Sequence, residues 1–175
     1  MRRLSALLLA IAAPAAALAQ PAHNAAPAPA NRMAPFQWLV GEWRGSGWTL
    51  LPNGSRHTFD SRETVSLKLS GNALLVEGVH HESGQPERIV HDAIGMLTWD
   101  NRANGYRFRT ALASGMSGDF PVEPTANGFN WRIDTPGGQI VYEIRYQDGE
   151  WIERGRRIGT DGRAVDFFEM RLRRQ

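Results

Sequence analysis

Cysteine is absent from the 175 residues. That excludes disulfide staples, thiolate nucleophiles, cysteine-ligated zinc and a lipid-modified N-terminal cysteine. Lysine is nearly absent, since Lys68 stands alone against 19 arginines, a composition that leans toward a GC-rich bacterial genome. A positive surplus is missing as well. The 20 Lys and Arg exceed the 18 Asp and Glu by two, and Arg2 and Arg3 account for that excess. A nucleic-acid-binding domain of this size carries a basic face, so nucleic acid is not an expected partner. Catalytic templates are lacking too: Gly115-Met116-Ser117-Gly118 breaks the spacing of a nucleophile elbow. No phosphate loop, dinucleotide fingerprint or His-Glu-x-x-His is present.

Long apolar runs are confined to one place. Leu4 to Leu18 is rich in Leu and Ala, shorter than the ~20 residues of a spanning helix and interrupted by Pro14. It follows the charged start Met1-Arg2-Arg3 and ends in Ala17-Leu18-Ala19 before Gln20. Charged, apolar and small-residue regions in that order predict a signal peptide over 1–19. The expected location is periplasmic or secreted, in a bacterium, with no transmembrane span after cleavage. Residues 20–34, QPAHNAAPAPANRMA, hold little to bury and are expected to form a disordered leader. The folded domain is then 35–175.

Within that domain, Gly, Asn, Asp and Pro clusters recur, as at Pro52-Asn53-Gly54, Ser83-Gly84, Asn127-Gly128, Asp148-Gly149 and Asp161-Gly162. Between them apolar and polar residues alternate: Tyr106, Phe108, Thr110 and Leu112 share one face and Arg107 and Arg109 the other. This pattern predicts antiparallel strands with one face toward a core. Strands are expected near 42–50, 56–69, 72–82, 88–99, 104–113, 117–124, 128–135, 138–147, 150–159 and 163–173. About ten twisted strands in one sheet leave long edges, and closure removes them. The predicted fold is all-β: a single antiparallel up-and-down barrel with a short N-terminal helical turn over Ala34–Val40 plugging one end. Charged outward faces argue against an outer-membrane barrel.

The segment Phe36-Gln37-Trp38-Leu39-Val40-Gly41-Glu42-Trp43 resembles the opening of the calycin group, the lipocalins and fatty-acid-binding proteins. The resemblance implies that Trp43 of Gly41-x-Trp43 plugs the closed end while a basic side chain near the last strand, Arg171 or Arg173, packs over it. The run Ala73-Leu74-Leu75-Val76-Glu77-Gly78, the His91-Asp92 strand and the ending Phe167-Phe168-Glu169-Met170 are similar to a bacterial domain-of-unknown-function family with a lipocalin-like barrel. That likeness spans most of 36–173. The Arg-x-Tyr pair that holds a fatty-acid carboxylate is absent from the last strand, so a fatty acid is not implied.

Candidate chemistry gathers on a predicted hairpin. With a tip at Gly84-Gln85-Pro86, His80 falls opposite residue 90 or 91, and opposed Cβ atoms lie ~4.5–5.5 Å apart. Such a pair can share a proton, with Asp92 or Glu77 orienting an imidazole; His81 points to the other face. In Trp151-Ile152-Glu153-Arg154, facing Trp151 inward carries Glu153 into the lumen, and facing Ile152 inward carries Arg154 instead. A bulge near Gly155 would reconcile the two. Trp131 and Tyr142 supply apolar contact, and His91, Arg109 or Glu153 a polar anchor. The expected function is binding or sequestration of a small apolar ligand in the lumen, with no metal or cofactor predicted. The alternatives are a calycin-fold enzyme using a His91/Asp92 or Glu77 acid–base pair, and a filled-barrel scaffold binding another envelope protein. The sequence does not set the oligomeric state.

Overall fold

A computed structural model describes residues 31–175; the expected signal peptide and most of the expected leader lie outside the described residues. Ten strands follow one another: β1 Gly41–Leu50, β2 Arg56–Lys68, β3 Ala73–Glu82, β4 Gln85–Asp100, β5 Gly105–Leu112, β6 Ser117–Thr125, β7 Gly128–Thr135, β8 Gly138–Gln147, β9 Glu150–Gly159 and β10 Ala164–Arg174. Every sequential pair is antiparallel, and β1 also pairs with β10, so the sheet closes into an up-and-down barrel. Closure leaves no strand edge unpaired. Two short 3-10 turns, Ala34–Leu39 and Leu69–Gly71, are the helical elements among the described residues.

The turn at Ala34–Leu39 forms the barrel floor. Phe36 and Leu39 are buried there, together with Met33, Trp43, Leu74, Leu97 and Leu172. Packing begins just ahead of the expected boundary at Pro35, because Met33 is fully buried and the Arg32 guanidinium lies 4.4 Å from the Trp99 ring centroid. The Trp43 indole N–H donates to the Leu39 carbonyl at 2.7 Å, so the plug and the first strand are tied where water is excluded.

The basic partner of Trp43 is Arg174, which corrects the expectation of Arg171 or Arg173. On β10 the buried residues Met170 and Leu172 set the inward face, so Arg171 and Arg173 point outward. There Arg171 pairs with Glu169 and Glu150, and Arg173 with Glu150. Arg174 continues the inward set and folds under the barrel, its guanidinium 4.4 Å from the Trp43 ring centroid. It donates to the carbonyls of Trp38 and Val40. Gly41 makes this possible. Its φ of +135° disfavours any side chain, and a Cβ there would strike the Arg174 guanidinium.

Removing the Arg174 guanidinium deletes a cation–π contact and two charge-assisted hydrogen bonds. Arg174→Ala should lower the free energy of unfolding by about 2 kcal/mol in urea titration. Arg173→Ala, which loses only an exposed ion pair, should cost under about 1 kcal/mol. Equal losses would contradict the clamp.

Candidate ligand site in the barrel lumen

Above the floor the barrel is hollow. A cavity of about 660 Å³ runs from Leu39 up to Leu51, Val90 and Met116 at the opposite rim, all three of them exposed. Its walls are the inward residues of the strands, with Phe59, Phe108, Phe120, Trp131, Tyr142 and Phe168 giving an aromatic lining. Trp131 and Tyr142 stack with ring centroids 4.2 Å apart and planes 6° from parallel, and the edge of Phe108 meets Trp131 at 5.5 Å. Gly95 gives the Phe108 ring its place, because a Cβ there would overlap it.

One sector of the wall is polar. β2 turns His57, Phe59, Ser61, Glu63 and Val65 inward, and β3 turns Val76, Gly78 and His80 inward beside them. His80 Nε2 lies 3.2 Å from Glu63 Oε1, and the residues are only 7% and 5% exposed. In that geometry the imidazole N–H donates to the carboxylate, which sets the tautomer. The Ser61 hydroxyl also approaches Glu63 Oε1, at 3.4 Å. Gly78, directly across the ladder from Glu63, leaves the carboxylate room that a Cβ would take. The His80 ring lies flat on Phe59 at 4.4 Å and faces His91 at 4.8 Å. Burial, reinforced by repulsion from His80 and opposed by Asp92, pushes the His91 imidazole down to about 4. It is therefore neutral at pH 7. Nearer the mouth, His57 Nε2 stands 3.2 Å from Glu82 Oε2.

Glu153 projects into the same lumen from β9. Burial drives its carboxyl up to about 8, the Glu63 carboxylate adds to the rise, and the Trp151 indole N–H opposes it. That indole nitrogen closes no satisfactory hydrogen bond of its own. Burial also raises the Tyr142 hydroxyl, with Glu153 adding to the rise and Arg157 opposing it.

His80 pairs with His91 across the β3–β4 ladder, as expected. The hairpin, however, closes at Glu82 and Gln85 instead of around Gly84-Gln85-Pro86, and two register shifts between Glu82 and His80 restore the pairing. His80, His91, Trp131, Tyr142 and Glu153 line the lumen together. Glu77, Asp92 and Arg109 do not, and their expected role as lumen contacts is corrected. Glu77 lies between inward Val76 and Gly78, Asp92 follows inward His91, and Arg109 lies between inward Phe108 and Thr110. Period-two alternation sends all three outside. Arg109 there contacts Thr98, Asp100 and Asp119. Trp151 and Glu153 are the inward pair on β9, and the register shift falls on β10 between Asp166 and Phe168, opposite Gly155. Glu63, His57 and Phe59 are site residues that the sequence reading passed over. The alternation of Phe59, Ser61, Glu63 and Val65, anchored by its two apolar ends, is the signal that could have found them. Among the described residues, no three His, Asp or Glu side chains gather in a way that would hold a metal ion.

No family model and no curated protein matches this chain. Among solved structures it is similar to the crystal structure of Rv2717c from M. tuberculosis, with a TM-score of 0.61 and 14% sequence identity. The match covers 82% of this chain and 96% of that one. The likeness establishes the fold. Sequence identity this low carries nothing about ligand or chemistry.

The two perturbed lumen groups act on stability in opposite directions. Glu153 holds a proton in the folded chain that the unfolded chain releases above about 4.5, so its contribution is lost as pH rises from 4.5 to 8. His91 resists protonation in the fold, so its contribution is lost as pH falls from 6.5 to 4. Glu153→Gln should therefore raise Tm relative to the parent at pH 8.5 and change it little at pH 5. Parallel Tm-versus-pH curves for the two proteins would refute the buried carboxyl.

Proposed function

We propose that this chain is an exported, lipocalin-like barrel of the bacterial domain-of-unknown-function type, which binds or sequesters a small, largely apolar molecule in its lumen. The observation that carries this reading is the open cavity of about 660 Å³ with aromatic walls and one polar sector. Ligand pockets of ~300–1,000 Å³ with mainly apolar lining and a few convergent polar groups are the usual small-molecule sites. The closed floor under Trp43 gives the ligand one way in and out. A cavity of this size does not favour a filled-barrel scaffold. Periplasmic location, after removal of residues 1–19, belongs to the same proposal.

The Glu63–His80 pair beside a neutral His91 favours a second reading, general acid–base chemistry on a carbonyl or phenol held in the lumen. Glu63 would then take the orienting role expected of Asp92 or Glu77, which face outward.

A neutral apolar fluorophore, N-phenyl-1-naphthylamine, should bind one to one and quench tryptophan emission. Ala93→Phe, which adds a ring to the lumen wall, should weaken it by at least about tenfold with the far-ultraviolet spectrum unchanged. His91→Ala should leave the affinity within about twofold if the chain is a carrier. Saturable fluorophore binding that Ala93→Phe does not disturb would place the ligand outside the lumen and end this reading.

A further inference from the structure

Among the described residues no arginine or lysine lines the cavity, while Glu63 and Glu153 both do. Most arginines of β5, β7, β8, β9 and β10 are spent on outer ion pairs, such as Arg154 with Glu169 and Arg156 with Glu143 and Asp166, while Arg157 and Arg174 lie over Phe167 and Trp43. Glu63 has His80 as its buried neighbour, and among the described residues Glu153 has no ion pair. Resting on the lumen-binding reading above, we propose that the ligand is a lipophilic organic cation. Its protonated nitrogen sits beside Glu153, within the field of Glu63, and its apolar body lies on Trp131, Tyr142 and Phe168.

Three physical arguments converge on this class. A half-buried carboxylate on an apolar wall needs a partner or a proton, and among the described residues no cation supplies the partner. An incoming cation would displace that proton and complete a charge-assisted pair in a low-dielectric site. The negative faces of the lining rings attract a cation as well, whereas a carboxylate ligand would meet Glu63 and Glu153 and no lysine or arginine of the described residues. Trp151, only 4% exposed, has an indole N–H without a partner beside Glu153. That donor favours the ionised carboxyl a cation requires.

The groups around Glu153 set the pH response. Glu63 faces it from β2 with His80 behind it on β3, His91 stands on β4, Tyr142 on β8, and Arg157 on β9 itself. β10 places uncharged Met170 opposite Glu153. Arg157 is held at the mouth, 4.5 Å over the Phe167 ring. His91 and Tyr142 stay neutral between pH 6 and 8. Cation binding therefore releases the Glu153 proton over that range, and affinity for a cation rises with pH.

Calorimetric titration of the intact protein with 1-naphthylmethylamine, 1-naphthylmethanol and 1-naphthoate separates the possibilities, because the three share one apolar body. The amine should bind about tenfold more tightly than the alcohol, with the carboxylate weakest. The amine's advantage should grow from pH 6 to 8 while the alcohol's affinity stays flat. In Glu153→Gln the amine-to-alcohol ratio should fall close to one. An alcohol that equals or exceeds the amine in the parent protein overturns the cation assignment and leaves the lumen reading standing; so does an amine preference that survives Glu153→Gln. Failure of all three probes to bind overturns the lumen reading itself.

Discussion

Arg174 lies across the face of Trp43 and reaches the carbonyls of Trp38 and Val40, so a single guanidinium joins the last strand, the first strand and the plug. The buried residues form one cluster from Met33 and Trp43 at the floor to Phe59 and Met170 on the wall, and the clamp closes it from below. The backbone ladder between β1 and β10 makes the sheet a cylinder, and the clamp beneath it makes the cylinder a cup. Gly41 and the terminal position of Arg174 are both consequences: the first leaves space, and the second lets a side chain fold under the rim.

Burial follows from that arrangement. Met33, Phe36, Leu39, Trp43, Leu74, Leu97 and Leu172 fill the floor at 0–1% exposure. Towards the mouth the wall residues meet a cavity instead of one another, and the aromatic pairs keep their order by stacking along the wall. Polar groups can persist in such a space only where they are paired or protonated. Glu63 takes the first course through His80 and Ser61, and Glu153 the second. The outer surface answers a different constraint. Its arginines and acids form exposed cross-strand pairs, each worth ~0–1 kcal/mol, which keep the barrel wetted without adding much stability.

The fold was legible because its turns are chemically explicit. Gly54, Gly84, Gly115, Gly149 and Gly162 all adopt positive φ at hairpin tips, and strands read between such residues coincide with those found, as at 128–135, 138–147 and 150–159. The His80–His91 pairing depends on two register shifts between Glu82 and His80, which the tip alone does not reveal. The site was less legible, because period two assigns faces only once one face is known. In Ala73–Glu82, Leu75 and Val79 are apolar on the outer face as well, so hydrophobicity did not tell Glu77 from Gly78. In β2, Asp60, Ser61, Arg62 and Glu63 are polar on both faces, and only the distant Phe59 and Val65 show which carboxylate is inside. Arg174 lay one residue past the expected end of the last strand at 173. The β10 register shift between Asp166 and Phe168, where both Phe167 and Phe168 line the lumen, depends on contacts across the ladder.

The central claim is that the cup above Trp43 receives a small molecule, apolar at one end and cationic at the other. The most direct measurement is a crystal structure grown with 4-bromobenzylamine, with bromine located by its anomalous signal. The account predicts bromine inside the barrel among Phe108, Trp131 and Phe168, with the ammonium nitrogen in hydrogen-bond range of Glu153. Bromine bound only on the outer surface, or a lumen closed by inward collapse of the aromatic wall, would contradict it.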